Sequence, residues 1–210
     1  MKHLLFIISV FCLTEINAQK RFSEGTIGYS VTMISGGVKT PGETVSLQMI
    51  KGGHYRSELT SDVGKTTTIY DLSEAAGAIL REFGTQKIMI PLRKKEWDLR
   101  EQKKGIINFN FLEETKEILG YTCSKAVAEK ADGTSIVLFF TKEIIPENKD
   151  MELQFQQLPG FVLEYESIQG DFTVNYKAKF LNFDPVPIQK FDLPKSGYRI
   201  MEYTDKTSIK

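Results

Sequence analysis

The chain has 210 residues, 27 basic and 27 acidic, with two cysteines and two histidines. Balanced charge gives no overall steering toward nucleic acid or an anionic surface. So few cysteines and histidines exclude most metal and nucleophile arrangements, since a closed zinc site alone takes about four N or S ligands.

The first element is Met1 to Ala18. Lys2 and His3 make a short basic start, Leu4 to Leu13 is apolar apart from Ser9, and Ile16-Asn17-Ala18-Gln19 places a small residue at the end. This is the layout of a secretory signal peptide. The apolar run is too short to cross a bilayer, which takes about 20 residues. The reading is an exported protein, periplasmic or secreted, cut after Ala18. It has one β-rich domain over residues 19–204 and a frayed polar tail over 205–210. No later stretch approaches a transmembrane segment. Cys12 and His3 leave with the leader, and bulky Phe11 argues against lipidation at Cys12. Cys123 and His54 remain, so no internal disulfide forms.

The rest reads as β. Gly25 to Met33 alternates, with Ile27, Tyr29, Val31 and Met33 on one face. Val45–Ile50 and His54–Thr60 flank Gly52-Gly53. Thr66–Leu72, Ala78–Phe83 and Lys87–Leu92 follow. Leu92–Lys103 has a weak helical pattern. Ile106–Leu112 has period two. Ile118–Glu129 meets Thr134–Thr141 across Ala131-Asp132-Gly133, and the Asp-Gly pair predicts a hairpin. Asn148–Gln157 predicts a short helix capped by Asn148 and stopped by Leu158-Pro159-Gly160. Phe161–Ser167, Phe172–Phe180 and Tyr198–Tyr203 complete an antiparallel meander.

Ile136-Val137-Leu138-Phe139-Phe140 departs from alternation, being apolar on both faces. Such a strand is the middle of a sandwich, lines a cavity or lies under a helix. Cys123 lies in an alternating run and reads as a small buried residue. His54, at the mouth of a turn, reads as a solvated hairpin histidine. Gly64-Lys65-Thr66 fails as a phosphate loop because Leu59 stands where the first glycine belongs. Glu164 and Glu166 share a strand face at about 7 Å, a spacing open to hydrolase chemistry and equally to a solvated outer face. Arg93, Lys94, Lys95 and Trp97 open a basic segment that runs to Lys104. It suits contact with a partner or an anionic surface.

Leu158-Pro159-Gly160-Phe161-Val162-Leu163-Glu164 resembles the family named for its Gly-Leu-Pro-Gly-Leu-Ile motif, exported proteins of Bacteroidetes-type bacteria, or a neighbouring family of the same kind. Gln157, Phe161 and Val162 depart from the motif. Ile118–Ala126 and Phe191–Tyr198 resemble it too. Families of this kind are similar in architecture to the LolA/LolB lipoprotein carriers. The resemblance implies a mainly β (α+β) fold: an antiparallel curved sheet, or incomplete barrel, with one or two short helices over its mouth. It carries over no functional residues.

Three functions follow. The first is a non-catalytic carrier with an apolar pocket for a lipid-like ligand or a lipoprotein acyl chain. Its candidate lining is Phe109, Phe111, Val137, Phe139, Phe161, Leu163 and Tyr165. This reading rests on the doubly apolar strand, on 14 Phe and 8 Tyr and on the poverty of catalytic groups. It calls for no catalytic residue, metal or cofactor. The second is a structural or interaction protein of the cell envelope, its core filled by its own side chains. The third is a hydrolase using Glu164 and Glu166.

Overall fold

The computed structural model describes residues 19–39, 44–102, 105–130, 133–149, 155–169 and 171–204. The leader, residues 103–104 of the basic segment, Ala131-Asp132, residues 150–154 of the expected second helix and the 205–210 tail lie outside this set.

In chain order the elements are β1 (Lys20–Phe22), β2 (Glu24–Ser35), β3 (Val38–Lys39), β4 (Thr44–Lys51), β5 (His54–Ser61), β6 (Gly64–Asp71), β7 (Ala76–Phe83) and β8 (Gln86–Arg93), then helix α1 (Lys94–Gln102). They continue with β9 (Ile106–Ile118), β10 (Tyr121–Lys130), β11 (Ser135–Thr141), β12 (Ile144–Pro146), β13 (Phe161–Gln169), β14 (Phe172–Asn182) and β15 (Arg199–Ile200). One curved, open sheet holds nearly all of them, in the order β15-β8-β7-β6-β5-β4-β2-β14-β13-β11-β10-β9, with β3 pairing β2 alongside. Its pairs are antiparallel except for β15 on β8, and β1 and β12 form a separate parallel pair.

Sequence explains most of the turns. Gly52 and Gly84 take φ of 56° and 55° between paired strands, a region where glycine costs least. One expected boundary is corrected. The strand predicted from Ile118 is split, because β9 runs on through Glu113–Glu117 and turns at Leu119-Gly120, with φ of 55° and 81°. The charged run hid the strand, since its exposed side chains show no apolar alternation.

Register defines two faces. The inner face carries Tyr29, Val31, Tyr165, Tyr176, Leu138, Ala126 and Ala128 across β2, β14, β13, β11 and β10. With Phe155 and Leu158 from the segment before β13, these residues belong to the main core. On the far half, Tyr55, Tyr70, Ile79, Ile90 and Leu92 continue this face under Trp97 of α1. The outer face of that half presents Ile69, Ala78 and Leu80, which Val186, Phe191 and Tyr198 cover. The chain leaving β14 therefore straps the back of the sheet. Its start is fixed by Glu24, whose carboxylate accepts the Val186 N–H at 2.7 Å and pairs with Lys51.

Candidate functional site

The seven predicted lining residues divide between the two faces. On the edge strand β9, Phe109 and Phe111 sit opposite Ala128 and Ala126, and the same row continues through Ile136 and Leu138 to Tyr165. Phe161 and Leu163 are buried in the same core, beside a register break opposite Phe139 and Phe140. Phe161 meets Phe22 edge-on at 4.9 Å.

Val137 and Phe139 point the other way. Phe139 sits opposite Lys125 and Glu164 on the outer face, yet it is only 7% exposed. Lys116 covers it, with Nζ 3.6 Å from the ring centroid and 2.6 Å from a Glu164 oxygen, and Lys125 lies at 5.9 Å. Phe139, on the second apolar face of the 136–140 strand, is thus roofed by lysine side chains. No second sheet lies over it among the described residues, and neither of the two clefts described below is lined by Val137 or Phe139. This also fixes the glutamate pair: Glu164 faces outward in an ion pair, and neither of the two clefts described below is lined by it.

The candidate lining left out Tyr29, Phe140, Phe155 and Tyr176, which complete the inner aromatic cluster. Tyr165 stacks on Tyr176 at 4.5 Å, Phe155 meets Tyr165 at 5.2 Å, and the Tyr29 hydroxyl donates to the Val162 carbonyl at 3.1 Å. Alternation alone placed Tyr29 on a buried face, but only the strand register brings these rings together. Phe111 leans edge-on against Phe140 at 5.7 Å and stacks with Phe109 at 6.4 Å. Phe111 is nevertheless 52% exposed, so an apolar row runs from the core to open solvent at β9.

Beside it the inner face turns polar. Ser46, Gln48 and Thr68 are buried, and Glu101 of α1 is fully enclosed beside Arg100 at 3.4 Å. A cleft of about 40 Å³ opens here, lined in part by Gln48, Ile50, Phe155 and Phe161. It offers room for only a few water molecules.

A second cleft, of about 250 Å³, lies on the outer side between His54, Asp71, Glu74 and Phe191. His54 is not simply solvated: its Nδ1 lies 3.1 Å from Asp71, and its ring is 5.5 Å from that of Phe191. Ser73 donates its hydroxyl to Asp71 at 2.6 Å. The order is Ser–Asp–His, with the carboxylate in the middle. Among the described residues no imidazole stands next to the hydroxyl to take its proton, as a nucleophilic serine requires.

The predicted contact residues also separate. Arg93, Lys94 and Lys95 are exposed at the start of α1. Trp97 is 3% exposed, stacked on Tyr70 at 4.1 Å and edge-on to Tyr55 at 6.0 Å. Burial removes it from any contact surface and makes it the anchor of the helix.

No family model matches the chain, and no curated protein does. Solved structures do. PNGF-II is similar over 88% of this chain at 16% identity and a TM-score of 0.47, and the match covers 32% of that chain. The chain therefore spans about a third of the length of PNGF-II. An uncharacterised conserved protein from Thermus thermophilus matches over 90% of this chain and 94% of its own, at 10% identity and a TM-score of 0.49. A domain described as a putative outer membrane lipoprotein-sorting protein, from Vibrio parahaemolyticus, matches over 83% and 91%, at 8% identity and a TM-score of 0.39. These are distant likenesses of architecture. Among the described residues, no helix is long and apolar enough to cross a membrane.

Proposed function

We propose that this chain is a non-catalytic exported binding module that takes a lipid-like molecule, an acyl chain or a lipoprotein tail, on the inner face of its sheet. The observation that carries this reading is the open end of the apolar row. Phe111 is half exposed, yet through Phe140 it continues the buried core. An aromatic surface left in water beside a filled core is a liability unless something covers it. The small side chains of Ala126 and Ala128 keep the floor beside it low. The 40 Å³ cleft is far too small for an acyl chain, so the ligand lies along the Phe109–Phe111 margin. The leader expected at Met1–Ala18 and the resemblance at Leu158–Glu164 support the same reading and a bacterial envelope location.

Organic extraction of gently purified protein, followed by mass spectrometry, tests this. A fluorescent fatty acid gives the quantitative arm, in which Phe111→Ser is expected to weaken binding about tenfold by removing roughly 50–60 Å² of apolar contact. Empty protein that also ignores the fatty acid overturns the reading.

The smallness of the cleft favours a second reading, an envelope interaction protein with a filled core. There Arg93, Lys94 and Lys95 form the contact surface. Unchanged partner capture in an Arg93→Ala, Lys94→Ala, Lys95→Ala triple variant removes that role.

A further inference from the structure

Four hairpin tips on one rim of the sheet share an apolar character. The strand pairings place the ends β2/β3, β5/β6, β7/β8 and β13/β14 along one rim, because Ser35 pairs with Phe172, Val45 with Thr60, Lys65 with Glu82 and Phe83 with Gln86. Each of these tips exposes a large apolar side chain: Val38 71%, Val63 75%, Phe83 38% and Phe172 42%. Ile168 at 37% and Leu59 at 36% stand beside them. The opposite rim turns through Gly52-Gly53, Ser73-Glu74 and Leu119-Gly120, and among those turns only Leu119 is a large exposed apolar residue.

Adjacent strands lie about 4.8 Å apart, so successive tips stand roughly 10 Å apart and the row spans about 30 Å. Polar or glycine residues separate the points: Gly36-Gly37, Asp62, Gly84-Thr85 and Asp171. A protein partner needs a continuous, complementary patch, about 800 Å² per side for a stable complex. A fluid bilayer interface accepts isolated apolar points one by one, each buried among headgroups and upper acyl chains.

We propose that this rim docks on a phospholipid bilayer, with Val38, Val63, Phe83 and Phe172 inserted at the interface. Charge does not drive the contact. Lys39 is exposed, Lys65 and Lys87 are paired with Glu58 and Glu82 at 2.7 and 3.3 Å, and Asp62 and Asp171 are exposed on the same rim. Lysine stems beside the tips lie flat, with their ammonium groups at headgroup level. The inference goes beyond the lipid-ligand reading and does not depend on it.

The test is co-sedimentation of the purified chain with phosphatidylcholine vesicles. Binding is expected at low and high salt alike. The Val63→Asp, Phe172→Asp double variant is expected to lower the vesicle-bound partition at least tenfold. Both side chains are exposed, so it keeps the parent's near-ultraviolet circular dichroism and its fatty-acid response. Val63→Trp is expected to shift its emission to the blue when vesicles are added, against the constant background of buried Trp97.

Three results overturn the proposal. One is unchanged sedimentation of the double variant together with no blue shift. Another is binding that disappears at high salt, which assigns the contact to lysines alone. The third is self-association without vesicles that the double variant abolishes, which makes the rim a contact between copies. Should the double variant fail to fold, Val38→Asp and Val63→Trp decide the matter.

Discussion

Cys123 has no exposed surface, and burial, ahead of the charges on Lys116, Glu143 and Glu164, pushes its thiol up from 9.0 to about 11. The fold therefore prefers the neutral thiol. Its contribution is fully present below pH 9 and is lost as pH rises toward 11, up to about 2 kcal/mol over that span. Urea midpoints are expected to fall between these two values in the parent and to fall less in Cys123→Ala. Tyr198, which burial and its bond to Glu82 push up to about 12, contributes to both chains alike. Alkylation of Cys123 is expected to wait on unfolding.

Gly160 makes a steric case. A Cβ there would stand 2.0 Å from the Thr141 carbonyl oxygen, where only a backbone shift makes room. Gly160→Ala is expected to cost about 2–4 kcal/mol in urea unfolding, as other severe core clashes do. Sequence showed this glycine as part of a Leu-Pro-Gly stop. It did not show why the position excludes a side chain, because Thr141 is nineteen positions away and meets it only through strand pairing.

Helix α1 shows the same division between local and distant causes. Its weak pattern in the sequence is explained by its exposure: Arg93, Lys94, Lys95 and Leu99 face solvent. One local device holds its start, where Glu96 accepts the Arg93 N–H at 3.0 Å and pairs with the Arg93 guanidinium, half of a capping box. A helix of nine residues is too short to persist alone, so its stability comes from Trp97 stacked on Tyr70. Trp97→Ala is expected to cost about 3–5 kcal/mol. Hydrogen exchange is expected to show α1 losing protection before β5 and β6 do. The strands were legible because apolar alternation and glycine turns are local signals. The face each lining residue takes was less so: Val137 and Phe139 fell outside while Tyr165 fell inside, and register decides that across strands far apart in sequence.

At the scale of the molecule, the mainly antiparallel meander with one or two short helices emerged from periodicity and turn chemistry, together with the family resemblance. The strap over the outer face did not emerge, since Val186, Phe191 and Tyr198 lie in irregular chain that carries no period. Nor did the chemistry of the rim, which comes from four turns scattered over more than a hundred positions and becomes a surface only once the sheet is assembled.

The central seam of that sheet joins β2 near the beginning to β14 near the end, with Tyr29 bonded to a carbonyl 133 positions away. Nothing can close this seam until the chain has been made as far as β14. Such long-range topology slows folding, toward milliseconds to seconds for comparable β domains. A nascent chain that stays open for so long is in the state that the proposed export would require.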